Sequence, residues 1–183
     1  MILQTRLPDR QEENKILRGT AEKVADIKSA EVKALIVKMA KAMFAEPDGI
    51  GIAAPQIGVS LRIFLVAKEA AIKNAAELHE KIGDKNKKRN TEYLVFINPA
   101  LKKSASKKIK DVEGCLSVRG IYGEVPRAEK ITIEYLDESE KKHQRGASGL
   151  FARVIQHELD HLDGVLFIDK ARNLKTYNLK RDS

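Results

Sequence analysis

"QHELDHLDG", residues 156–164, places His157, Glu158 and His161 within little more than one helical turn. Four residues apart, two imidazoles stack on one face of a helix, where both can reach a single ion. Glu158 then lies beside them, within reach of a water on that ion. A charged surface helix could be spelled with the same letters, so the flanking residues have to decide. Outward through "GASGLFARVIQHELDHLDGVLFID" (146–169), Leu150, Val154, the pair His157/Glu158 and His161 fall along one side. An apolar stripe that runs into two histidines turns those histidines inward. The spacing predicts a helix that ends near Gly164 and faces the core.

"SAEVKALIVKMAKAMF" (29–44) predicts a second amphipathic helix, N-terminal to the first. Ser29 is its N-cap, and Val32, Leu35, Ile36, Met39 and Met43 form a core stripe opposite the lysines. The glycines and Pro55 of "GIGIAAPQIG" (49–58) stop that helix and predict a tight loop. "LRIFLVAK" (61–68), "EYLVFINPAL" (92–101) and "KITIEYLD" (130–137) read as strands, the last with Ile131, Ile133 and Tyr135 on one face. Between the first two strands lies a charged insertion, expected to start as a short helix and end as a lysine-rich solvated loop. No repeat and no Pro/Gly/Ser linker interrupts the chain, so residues 1–183 are expected to form one domain.

A hydrophobic fraction of 43% and a charged fraction of 33% fit a folded chain with an ordinary core. No apolar run approaches the roughly 20 residues of a membrane helix. The N-terminus lacks the apolar core of a signal peptide, and its acidic residues argue against a transit peptide. These features predict a cytoplasmic protein without membrane contact. Lys and Arg number 34 against 26 Asp and Glu, a net charge of +8. Such a surface suits polyanionic neighbours, including a transient contact with the ribosome. Without arginine-rich runs, without tryptophan and with 5% aromatics, the chain has little material for reading bases, so no sequence-specific nucleic acid is expected.

A catalytic metal site usually takes three protein ligands and leaves one position for water. His79 lies in the charged insertion and His143 in the turn-like "DESEKKHQR"; both are expected to be solvated. The best third ligand is Cys115, the only cysteine, in "DVEGCLSVRG". Taken alone it reads as a small buried hydrophobe. Beside the histidine pair it reads as a thiolate ligand, with Gly114 allowing close backbone approach.

Three segments in this order, "GIGIAAPQ" (49–56), "EGCLS" (113–117) and "QHELDH" (156–161), resemble the three signature motifs of the peptide deformylase family. "NKILRGTAEKV", "INPAL" and "VPRAEKITIEYLD" are similar to the family as well, so the likeness covers most of residues 14–170. The resemblance implies an α+β fold of antiparallel β-sheets around the metal-binding helix. It implies Cys115, His157 and His161 as ligands of one Fe²⁺, with Zn²⁺, Ni²⁺ or Co²⁺ as substitutes. Glu158 becomes the general acid/base, and the Gln56 side-chain amide and the Leu116 backbone N–H become donors to a developing oxyanion. Ile50, Gly51 and Gly114 line a groove for an extended peptide, and Leu150 and Val154 border a slot for a methionine side chain.

The implied reaction is removal of the N-formyl group from formyl-methionyl nascent peptides, with release of formate. The residue types suit it. A base moves the water proton to the leaving amine, and each oxyanion donor is worth roughly 3–4 kcal/mol.

Three departures bear on subtype. The segment 68–92 is long and charged, and the chain ends 22 residues after His161, where many bacterial members carry a longer terminal helix. Tyr122 also stands where some members place an arginine. Two other readings compete. An ordinary His-Glu-x-x-His metallopeptidase would want a third ligand downstream, where "LDGVLFIDKARN" offers only acids, and it leaves "EGCLS" unexplained. A basic ribosome- or RNA-binding protein with a structural metal would want four ligands, and the sequence offers three.

Overall fold

Ser29 starts the first long helix as its spacing requires. Its Oγ accepts the Val32 N–H at 3.2 Å, and the helix runs Ala30–Phe44 (α2), after a shorter helix at Gln11–Arg18 (α1). Val32, Leu35, Ile36, Met39 and Met43 are all buried. The computed structural model describes residues 1–4, 11–72 and 90–176.

The strands are antiparallel throughout. Gly51–Ala53 (β1), Ile63–Ala67 (β2), Tyr93–Ser104 (β3), Lys130–Leu136 (β6) and Lys142–Ser148 (β7) form one sheet in the order β1-β2-β3-β6-β7. Lys108–Cys115 (β4), Val118–Ala128 (β5) and Arg172–Thr176 (β8) form the other, in the order β4-β5-β8. Two further helices lie at Lys68–Ile72 (α3) and Gly149–Leu162 (α4).

Strand β2 shows why α4 becomes central. Ile63, Leu65 and Ala67 pack with the α2 stripe, while Phe64 and Val66 pack with Phe151, Ala152, Ile155 and Leu159 of α4. A strand covered on both faces reads as an unbroken apolar run, which is what "IFLVA" is. The sheet is thus sandwiched between α2 and α4. The smaller sheet adds Val118 and Val125, which pack with Leu166 and Phe167 just past α4. The fold is α+β, with antiparallel sheets about the helix that bears both histidines.

Several expectations need correction. "GIGIAAPQIG" is not simply a loop: Gly51–Ala53 pair with Phe64–Val66, and Ala54–Ile57 form a 3₁₀ turn with Pro55 in its first positions, where a missing N–H costs nothing. Strands β4, β5, β7 and β8 carry no clean apolar alternation and are not among the expected strands. Residues 108–112 are all exposed because β4 is an edge strand with a solvated face. His143 is not a turn residue, although its side chain stays 32% exposed. The turn closes by Lys141, and His143 sits on β7, with its ring stacked on Tyr135 at 5.2 Å and its Nε2 2.6 Å from Asp137 Oδ2. Of the charged insertion, the expected short helix appears as α3; His79 and the lysine-rich loop lie outside the described residues.

Candidate metal centre

Three elements bring the candidate residues together. The hairpin β4–β5 turns through Leu116 and Ser117, with Cys115 and Val118 paired across its end. Helix α4 presents His157 and His161 from its last two turns. The 3₁₀ turn after β1 presents Gln56, which is 2% exposed. The result is one cluster in which a sulfur of Cys115 and a ring nitrogen of each histidine lie within 4.8 Å of one another. Cys115 Sγ is 3.2 Å from His161 Nε2. Among the described residues this is the one cluster of three such groups close enough to share an ion.

The Gln56 amide is oriented at both ends. Its Oε1 accepts the Ala53 N–H at 2.8 Å, which turns Nε2 toward Ser117 Oγ at 3.2 Å and Cys115 Sγ at 3.6 Å. The Ser117 N–H also points at the sulfur, at 3.4 Å. Leu116, between them, is partly buried against the α2 side of the core, and its carbonyl is taken by Gln4 at 2.8 Å.

Behind the histidines lies a buried charge network that motif reading left without a role. Glu113 accepts from His157 Nδ1 (3.0 Å), Arg127 Nε (2.9 Å), Arg127 Nη2 (2.8 Å) and Arg153 Nη1 (2.6 Å). Arg127 reaches on to Asp160 at 2.5 Å, and Arg153 donates to the carbonyls of Val125 and Ile109. Glu113, Arg127 and Arg153 are all buried. A usable signal was present: a histidine that ligates through Nε2 wants an acceptor at Nδ1, and the acid two residues before Cys115 was the nearest candidate.

The electrostatics follow. Burial acts to raise Glu113, but its bonds from Arg127 and His157 outweigh that and hold it far below the usual carboxylate range. Burial acts to lower His157, but its contacts with Cys115 and Glu113 prevail and raise it well above an ordinary imidazole. With Nδ1 on Glu113, a cation held by the other ring nitrogen would take the place of that proton in the same surroundings. Burial, with the charges of His157 and Arg127, pushes His161 well down, leaving a neutral ring able to donate its lone pair. Burial pushes Glu158 up to about 7, with His157 and Arg127 opposing. A divalent cation nearby would draw it lower.

Two buried side-chain atoms here have no hydrogen-bond partner among the described residues: Glu158 Oε2 and His161 Nδ1. For Glu158, 3% exposed, an unpaired carboxylate oxygen suits a group that handles water or substrate. Nothing in the structure explains the unpaired His161 Nδ1. One thiolate and two imidazoles, one with its far nitrogen held by a carboxylate, form a donor set suited to a divalent transition metal.

The residues expected to line a groove lie around the same cluster. A Cβ added at Gly51 would collide with Glu158 Oε1 and lie 2.9 Å from Val154 Cγ1. One at Gly114 would lie 2.7 Å from the Tyr122 ring. Both glycines are therefore close approaches beside the metal cluster. Val154 is buried, while Ile50 and Leu150 are partly buried and pack in the same cluster as Val154.

Known proteins resemble the chain over most of its length. The family model described as polypeptide deformylase matches residues 10–177. A peptide deformylase of Roseiflexus castenholzii is 39% identical over 169 residues, 92% of this chain and 88% of its own. The crystal structure of a Plasmodium falciparum peptide deformylase superimposes with a TM-score of 0.74 at 35% identity, covering 94% of this chain and 87% of that one. The peptide deformylase of Thermotoga maritima gives a TM-score of 0.73 at 29% identity, covering 94% and 97%. Neither competing reading, a peptidase or an RNA-binding protein with a structural metal, has such support. The chain belongs to the polypeptide deformylase family and is a metal-dependent hydrolase that removes the N-formyl group from nascent peptides.

Proposed function

We propose that Cys115, His157 and His161 hold one Fe²⁺ and that Glu158, Gln56 and Leu116 carry the hydrolysis of N-formyl-methionyl peptides. The observation that carries this reading is the grouping of the three ligand atoms within 4.8 Å beside the unpaired Glu158 Oε2. The ion would supply Lewis acidity and bring a water's pKa toward neutrality. Zn²⁺, Ni²⁺ and Co²⁺ suit the same donors. A thiolate with two imidazoles binds zinc more tightly than iron, so iron occupancy depends on supply.

The chain's own groups divide the remaining work. The Glu158 carboxylate takes a proton from the attacking water and passes it to the peptide nitrogen, so that the formyl C–N bond breaks and formate leaves with a free amine. Its burial, 3% exposed, and its unpaired Oε2 suit a carboxylate that takes up and passes on a proton. The Gln56 Nε2–H and the Leu116 N–H meet the negative charge that builds on the formyl oxygen. Gln56 is already held for this by Ala53. Ile50, Gly51 and Gly114 line the groove for the peptide backbone, and Leu150 and Val154 border the methionine slot. Residues 1–183 act as one domain.

Among the described residues no helix is long and apolar enough to cross a membrane. Action on nascent chains would place the protein in the cytoplasm. The +8 charge suits a transient contact with the ribosome and needs no sequence-specific nucleic acid.

The test is formate release from a formyl-methionyl peptide by anaerobically purified protein, with metal measured in the same sample. Turnover that scales with bound iron, and exceeds turnover on a formyl-glycyl peptide, supports the reading. Equal kcat/KM for the two peptides removes the methionine slot, and iron-loaded protein without turnover removes the site assignment.

A further inference from the structure

The first residues of the chain reach the metal centre from outside the three motifs. Ile2 is buried in the α2 side of the core and anchors them. The Leu3 N–H then donates to the Gln56 carbonyl at 2.6 Å, and Gln4 Nε2 donates to the Leu116 carbonyl at 2.8 Å. These contacts fall on the two residues assigned as oxyanion donors.

The Leu116 carbonyl belongs to the peptide unit that joins Leu116 to Ser117. The N–H at the other end of that unit is the Ser117 N–H, which points at Cys115 Sγ at 3.4 Å. One peptide plane is therefore held from both sides, by the Gln4 amide and by the ligand sulfur. It is the central plane of the two-residue turn between β4 and β5. Turn types differ chiefly in the orientation of that plane, which can rotate while the flanking Cα atoms stay nearly in place. Without a partner for its carbonyl, the plane is free to turn the Ser117 N–H away from the sulfur.

We propose that Gln4 is a positioning residue for the metal centre: its grip on the Leu116 carbonyl keeps the Ser117 N–H on the Cys115 sulfur and fixes the turn from which the Leu116 N–H projects. A hydrogen bond to a ligand thiolate draws charge from the sulfur and tunes the ion it binds. The proposal rests on Cys115 as a ligand and Leu116 as a donor.

The test compares the parent, Gln4→Met and Gln4→Lys, all loaded with Co²⁺. Methionine keeps the length and apolar contact but cannot donate; lysine restores a donor of similar reach. Three quantities are read: the thiolate-to-cobalt charge-transfer absorption, kcat and KM for a formyl-methionyl peptide, and thermal stability. In Q4M the charge-transfer band shifts and kcat falls about tenfold, the low end of what outer-shell partners contribute. KM and thermal stability change little, and Q4K recovers part of both the band position and kcat. A Q4M protein with the parental band and kcat overturns the proposal. So does one that loses activity with a parental band and no recovery in Q4K, because Gln4 would then serve packing alone. A parent without any thiolate band overturns the ligand assignment of Cys115, and this proposal with it.

Discussion

Replacing Glu113 with glutamine would change one atom in a side chain that touches no substrate. Yet it should be among the most damaging substitutions outside the ligand set. All the contacts described for the Glu113 carboxylate come from donors: two from Arg127, one from Arg153 and one from His157 Nδ1. An amide NH₂ has no lone pair to offer, so whichever way the new amide turns, two donors would face another donor. Removing one partner of a buried ion pair costs about 3–5 kcal/mol. Arg127 keeps Asp160, and Arg153 keeps two carbonyls, which places the loss at the low end, about 3 kcal/mol. For a domain of this size each kcal/mol moves Tm by about 2–4 °C, so Tm should fall by about 6–12 °C. His157 loses the acceptor that orients its ring, and metal affinity should fall about 10–100-fold. The sign of the pH dependence follows from the depressed folded pKa of Glu113. Its contribution is fully present above the unfolded carboxylate value of about 4.3 and is lost as pH falls below it. The gap between parent and E113Q should therefore narrow in acid. The measurements are melts from pH 7 to pH 3 and chelator competition for Zn²⁺. A variant within about 1 kcal/mol of the parent at pH 7, with unchanged zinc affinity, would refute the role given to Glu113.

Three further outcomes are expected. Gly51→Ala places a methyl against Glu158 Oε1 and Val154, so kcat should fall at least about tenfold, since general acid/base groups are worth about 10²–10⁴; unchanged kcat means Glu158 does not work from its observed position. Cys115→Ser should bind metal more weakly, and the iron-loaded parent should lose activity in air as a thiolate next to iron is oxidised; a serine variant with parental metal content and turnover places the third ligand elsewhere. Val154→Ile should raise KM for formyl-methionyl peptides by an amount typical of one methylene, about 1–3 kcal/mol, without loss of metal; if the preference over formyl-glycyl peptides is unaltered, Val154 is core alone.

What could be read from the letters follows the physics of each element. Helices α2 and α4 and strands β2 and β6 declare themselves because one or both faces are buried, so burial writes a period into the sequence. Strands β4, β7 and β8 are largely solvated, and a lysine on an exposed strand face looks like a lysine in a loop. Their identity comes from pairing, which is a long-range property. The clustering of Cys115, His157 and His161 was legible because helical spacing puts the two histidines together and the motif likeness adds Cys115. The support behind it was not. Arg127 and Arg153 converge on Glu113 from 14 and 40 residues away, and Gln4 meets Leu116 across 112 residues. Such partners are chosen by the fold and leave no local pattern. His143 was misplaced for the opposite reason: its setting looks polar in sequence, but the turn ends earlier and the ring finds Tyr135 and Asp137.

The division of labour between the three ligands and Glu158 is tested most directly by Glu158→Gln. Metal per chain and formate released per bound iron are measured on the same anaerobic samples of parent and variant. The expected result is equal metal content with turnover lower by about 10²–10⁴ in the variant. Equal metal with near-parental turnover would contradict the assignment of Glu158 as the group that moves the proton.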